Sequence, residues 1–301
     1  MSDAFILTPI GPQGLPVLPD LCRDLAGQAN LESLLARESI DLDDSFFATP
    51  DSSPTPGGGS APVGFGLLGV RRGGGKTYCS VRGLAATVAP GRPGDPRPAL
   101  LHALLDAARS LGAVSITAEA TVVQGDSPLL PPAALLANMG FRQVDTLIGF
   151  DASREDILAE PVYLQIGLHD VSPTDLGDWL EALDRDSLPW SLHPEAVKSL
   201  RFPGTVYGLV ASGFGAGFMA TTDPQLERVE ILNLWVLPDL RRQQVAEGAL
   251  QELVSSHPRI ERLEVPPVVR AGDHDTVAFL EKSGFQSSEG KRTLMEAQLT
   301  P

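Results

Sequence analysis

Cysteine, positive charge and long apolar runs are all scarce in this sequence, and each shortage removes a class of protein. Two cysteines, Cys22 and Cys79, occur in 301 residues with no CxxC or Cys/His spacing, so neither a disulfide framework nor a structural zinc site is expected. Reduced thiols in a cytoplasmic protein are the simplest reading. Lys and Arg number 23 against 38 Asp and Glu, a formal net charge of -15 that repels phosphate backbones and anionic lipid heads. Nucleic acid and membrane are therefore not expected as partners, and a cationic or amine-bearing one is. The histidines, His102, His169, His193, His257 and His274, show no HExxH or i, i+4 pairing, so no metal is expected. No GxSxG elbow occurs, which sets aside the usual hydrolase. The weakly polar stretch from Leu209 to Thr222 falls short of the roughly 20 apolar residues of a spanning helix. Met1 to Ile10 lacks the basic flank of a signal peptide.

What is present is ordinary globular material, 43% hydrophobic and 20% charged, long enough for about two domains at roughly 150 residues each. An internal repeat matches that length. In the first half, Gly83 to Pro90 leads to a helical run, a strand, and Ala133 to Phe141; in the second, Ile231 to Pro238 leads to the same succession, ending in Val277 to Phe285. The interval from Pro90 to Pro238 nearly equals that from Gly140 to Gly284. Each copy reads as a mixed α/β unit, residues 1–155 and 156–301, with the boundary near Glu155 to Pro161.

In the second copy, β-branched content and turn signals predict strands at Val162–Gly167, Thr205–Ser212, Gly217–Thr222, Arg228–Leu237, Arg262–Val265 and Arg292–Leu299. Helices are expected from Thr174, with Leu176, Trp179, Leu180 and Leu183 on one face; from Arg242 to Ser255, with Val245, Leu250, Leu253 and Val254 as the buried stripe; and from Asp275 to Lys282. In the first copy, Leu100, Leu101, Leu104, Leu105 and Ala108 mark a helix from Pro98 to Leu111, and a strand is expected at Thr146–Phe150. Pro50 to Pro62, rich in Pro, Gly and Ser, reads as a surface loop. The Gly73 to Thr77 run has Val70 where a P-loop needs its leading glycine, and Gly213 to Gly217 lacks the last glycine of a dinucleotide fingerprint; both read as hairpins.

The element order and Val236-Leu-Pro238, Arg241 to Ala246 and Ser283-Gly-Phe285 resemble the GNAT superfamily of acyl-CoA N-acyltransferases. The resemblance implies two tandem copies of that fold covering nearly the whole chain. It implies that backbone N–H groups from Arg241, Arg242, Gln243, Gln244, Val245 and Ala246 bind the pyrophosphate of acetyl-CoA, the helix start supplying unpaired donors and positive dipole. No proline interrupts that run, so every amide is free to donate; Gln244 departs from the family's glycine. In the first copy Pro93, Pro96 and Pro98 have no N–H, and Asp95 puts an anion where phosphate should sit, so that copy is expected to have lost the ligand and to serve as a structural or substrate-shaping half.

The resemblance assigns Glu230 as general base. It assigns the thioester oxygen's donor to a backbone amide among Trp235, Val236 and Leu237, with Trp235 beside the acyl group. Asp273 falls at a cofactor-orienting position, although its spacing also suits a helix N-cap. The family's tyrosine proton donor is replaced by Leu280, and by Leu136 in the first copy. Two functions follow. One is an N-acetyltransferase moving an acetyl group from acetyl-CoA to a small-molecule or peptide amine; the other is a non-catalytic binding module. The leucines favour the second, and Glu230 with the amide run favours the first. A monomer with an internal pseudo-dimer is expected.

Overall fold

The computed structural model describes residues 5–14, 17, 40–51, 61–73, 76–121, 129–172 and 204–299. The helix expected from Thr174, with Trp179 and Trp190, lies outside them, as do Cys22, His193 and most of the loop between Asp51 and Ala61.

The chain divides into two compact units, Met1–Asp145 with Arg292–Pro301, and Thr146–Lys291. In the first, β1 (Phe5–Pro9), β2 (Ile40–Pro50), β3 (Gly64–Gly73) and β4 (Lys76–Ala86) form an antiparallel meander. β5 (Ser115–Thr121) joins β4 in parallel, after the crossover helix Arg97–Ser110. The second unit repeats this order. β7 (Ile166–Asp170), β8 (Thr205–Ala211), β9 (Phe214–Thr221) and β10 (Arg228–Val236) form the meander, and helix Val245–Ser256 leads to β11 (Arg262–Arg270), parallel to β10.

The last strand of each unit comes from the other half of the sequence. Residues 147–153 of β6 (Arg142–Ser153) pair antiparallel with β11, from Arg262↔Ser153 to Arg270↔Leu147. Residues 292–298 of β12 (Gln286–Gln298) pair antiparallel with β5, from Arg292↔Thr121 to Gln298↔Ser115. The expected division at Glu155 therefore differs from the one the strands make. Alternating apolar residues mark a segment as a strand and do not say which edge it will complete.

Each core lies between sheet and crossover helix. Leu100, Leu101, Leu104, Leu105 and Ala108 are buried as their spacing predicted, and so are Val245, Leu250, Leu253 and Val254; each Leu or Val contributes about 1.5–3 kcal/mol by leaving water. Boundaries moved where sequence cues were weakest. β7 starts at Ile166 rather than Val162, β11 runs on through Pro266 and Pro267, and β12 starts at Gln286. The hairpin expected at Gly213 to Gly217 turns instead on Ser212 and Gly213, with φ of 51° and 84°, the two-residue turn that matches strand twist. Gly73↔Lys76 pairing makes the other glycine run a hairpin too.

Because β12 supplies residues 292–298 to the first unit, a fragment ending at Glu155 lacks a strand of its own sheet and leaves the β5 edge unpaired. Such a fragment is expected to show no cooperative urea transition by circular dichroism, whereas the full chain unfolds cooperatively.

Candidate functional site

In the second unit the parallel pairing of β10 with β11 stops after three registers, Arg228↔Arg262, Val229↔Leu263 and Glu230↔Glu264. Both strands continue, and they part. On β10 the cause is a bulge between Ile231 and Asn233, which makes Leu232 the extra residue. On β11 the ladder with β6 is broken between Val265 and Val269, where Pro266 and Pro267 have no N–H to give. Leu237 N donates to Ala216 O at 2.9 Å, so the period of two in an antiparallel ladder turns the Trp235 and Asn233 amides toward β9 as well. The Leu234 and Val236 amides face the opening.

One of the three expected amides, that of Val236, is on this edge. Of Trp235, Val236 and Leu237, the first and third are committed to β9, and Leu234, outside that range, is the opening's other donor. Only the bulge, invisible in sequence, decides which alternate amides point inward.

Beyond β10 a 3-10 turn, Pro238–Leu240, leads through residues 241–244 to helix Val245–Ser256. Arg241 N donates back to Pro238 O at 3.2 Å, so the expectation of six free amides fails at its first member. The first helical bond from this end is Gly248 N to Gln244 O at 2.9 Å, and among the described residues the amides of Arg242, Gln243, Gln244, Val245 and Ala246 meet no acceptor. Arg242 and Gln244 both take left-handed φ, 64° and 62°, which alternates the peptide planes and turns successive N–H groups to one side. Gln244 thus adopts the conformation of the glycine it replaces, at a cost of about 1–2 kcal/mol. Arg241 Nε donates to Val236 O at 3.2 Å, fixing the loop to the strand end, and Gln243 donates to Asp239 O at 2.9 Å.

Glu230 is half-buried at the last paired register, its amide donating to Thr222 Oγ1 at 2.9 Å. Arg228, two residues before it, lies 3.5 Å from Glu264 across the ladder. Trp235 is buried against Phe218 with ring centroids 6.0 Å apart. Asp273 caps helix His274–Lys282, accepting from Thr276 N at 3.2 Å and Thr276 Oγ1 at 2.7 Å. Leu280 and Leu136 are buried core residues, so neither site has a proton donor there. Gly284 has φ of 89°, and a Cβ on it would stand 2.7 Å from Asp156 O, which explains the Gly-Phe ending. Among the described residues no group of three His, Cys, Asp or Glu side chains is placed to hold a metal. Cys79 is buried, and desolvation, helped by Asp44 and Asp41, pushes its thiol up to about 12, too high for a nucleophile.

The first unit has the same opening, filled by the chain itself. β4 and β5 pair only at Cys79↔Ile116, Ser80↔Thr117 and Val81↔Ala118, and the bulge residue is Arg82. Bulge against bulge, Leu84 lies level with Leu234. Leu84 N donates to Leu129 O at 2.8 Å. Arg97 donates to Ala86 O at 3.1 Å and Val88 O at 2.8 Å. Asp95 occupies the loop: its carboxylate accepts from Gly91 N at 2.9 Å and Arg97 N at 3.1 Å, and pairs with the Arg97 guanidinium at 3.0 Å. Past the last paired register, Glu119 bridges Arg82 at 3.0 Å and Arg292 at 2.8 Å. Burial by itself raises the Glu119 carboxyl, but the two guanidiniums outweigh it and hold it below the ordinary carboxylate range.

No protein-family model matches the sequence, and no curated protein does. Solved structures match in fold. A tandem GNAT protein from the clavulanic acid biosynthesis pathway superposes with a TM-score of 0.62 at 16% identity, over 99% of each chain. A GCN5-related N-acetyltransferase from Anabaena variabilis gives 0.65 at 12% identity, over 99% of this chain and 73% of the other. One from Sphaerobacter thermophilus gives 0.59 at 16%, over 99% and 96%. The chain carries the acyl-CoA N-acyltransferase fold in two tandem copies.

Two stability measurements follow. Gln244→Gly relieves a left-handed φ and is expected to raise stability by about 1 kcal/mol in urea titrations. Glu119→Gln removes the buried carboxylate that bridges Arg82 and Arg292 and is expected to cost about 3 kcal/mol. Because Glu119 titrates below its unfolded value, its contribution is complete above the ordinary carboxylate range and is lost as pH falls through the native pKa. The variant's stability therefore varies less with acidification than the parent's.

Proposed function

We propose that the second unit transfers an acetyl group from acetyl-CoA to a primary amine of a small molecule or peptide. The observation that carries this reading is the run of unbonded amides from Arg242 to Ala246, held outward by two left-handed residues at the head of helix Val245–Ser256. Phosphate oxygens accept from such a run, and the dipole and Arg242 favour their charge. The pantetheine arm then lies along the open edge of β10, where the Val236 amide pairs with an extended chain as a neighbouring strand would. The acceptor amine, kept neutral by Glu230, attacks the thioester carbonyl. The oxyanion forms at the Leu234 N–H and collapses, the carbon–sulfur bond breaks as the new amide nitrogen gives its surplus proton to water, and coenzyme A leaves as thiolate, tolerable without a tyrosine because a free thiol's pKa is near 8.5.

The first unit takes no acyl-CoA in this reading. Asp95 holds the loop amides that phosphate would need, and Leu129 holds the Leu84 N–H. The net charge of -15 suits a cationic amine acceptor. A monomer in the cytoplasm completes the proposal.

Isothermal titration of the full chain with acetyl-CoA is expected to give one site per chain, and Arg242→Glu to weaken it about tenfold. No heat from the parent, or two equal sites, would overturn the reading. With an amine acceptor, Glu230→Gln should lower thiol release with little change in acetyl-CoA affinity; an unchanged rate removes Glu230 from the mechanism.

A further inference from the structure

Asn233 stands on β10 just past the bulge, where the strand has left β11. The residue is 5% exposed, and its Nδ2 has no hydrogen-bond partner among the described residues. A buried primary amide left this way is costly, and the fold does not require it: Gly83 fills the level position in the first unit. An orphaned donor kept at a strand edge implies a partner that arrives with a ligand.

The face on which Asn233 lies says which ligand. Val229, Ile231 and Val236 belong to the core under helix Val245–Ser256, and Leu234 packs against it. Trp235 lies outside that core, against Phe218 on the other side of the sheet. With the bulge at Leu232 shifting the alternation by one, Glu230 and Asn233 share that other face with Trp235. Glu230 and Asn233 are separated by two residues, so their reach overlaps on one small molecule. The backbone amides of Leu234 and Val236 already offer donors to the thioester and its arm. Asn233 is left to the acceptor.

We propose that Asn233 positions the acceptor: its Nδ2 donates to a neutral oxygen, carbonyl or hydroxyl, borne one or two carbons from the reacting amine. The acceptor is then an amino amide or amino alcohol in type, and a plain alkylamine or polyamine is excluded. This rests on the acetyltransferase reading of the same site. It adds an oxygen requirement that composition and fold do not supply.

The test compares thiol release from acetyl-CoA with ethanolamine and glycinamide against propylamine, each corrected to its free-base concentration. The parent is expected to favour the oxygen-bearing amines by tenfold or more in kcat/KM. Asn233→Ala should abolish that preference through the acceptor's KM while leaving acetyl-CoA affinity by calorimetry unchanged and Tm unlowered. Asn233→Ser, which keeps a donor, should restore part of it. A parent that turns over the three amines with no oxygen preference overturns this inference alone, and one that binds acetyl-CoA but turns over none of them overturns it together with the transferase reading. A preference that survives in Asn233→Ala, or an Asn233→Ala chain whose acetyl-CoA affinity or Tm falls, also overturns this inference alone. A parent that binds no acetyl-CoA overturns the transferase reading, and this inference with it.

Discussion

Where two parallel strands part, each leaves backbone N–H and C=O groups facing a gap, and every such group must find a partner. That constraint organises both halves of this protein. The bulges at Arg82 and Leu232 and the three-register pairings that precede them are the same device used twice. The halves differ in who satisfies the exposed edge. In the first, Leu129 and Arg97 do so from within the chain; in the second, among the described residues, the Leu234 and Val236 amides meet no acceptor and the Val236 carbonyl is met by Arg241.

The same contrast runs through the charges. The first loop carries its own anion, Asp95, and its opening holds Glu119 between two arginines, so electrostatics there is closed within the fold. Charges buried in this way hold geometry as much as they stabilise, because removing one member strands another. The second loop has cations and amides, and among the described contacts the carboxylate of its Asp239 meets none of those amides. Its left-handed Arg242 and Gln244 store strain that glycine would not, and strain of this kind is retained where backbone direction matters more than stability.

Strand exchange adds a second layer. Neither repeat completes its own sheet, so the boundary that matters physically is drawn by hydrogen-bonded ladders and not by the midpoint of the duplication. A repeat visible as sequence can therefore mislead about which residues fold as one unit.

The sequence by itself determined the duplication, the mixed α/β class, the apolar stripes of Leu100 to Ala108 and Val245 to Val254, and the proline-poor loop after Pro238. These are local patterns, set by periodicity and by the chemistry of single residues. Sequence also pointed to Asp95 as a resident anion and to Asp273 as a cap, since both act within a few residues of themselves. Tertiary structure alone decided that Arg241 N is spent, that Leu234 and not Trp235 or Leu237 faces the opening, and that Arg228 meets Glu264. It alone left Asn233 without a partner and exchanged the final strands. Each of these turns on a bulge, a register or a pairing across long sequence separation, and one inserted residue is enough to reverse which face or edge a group presents.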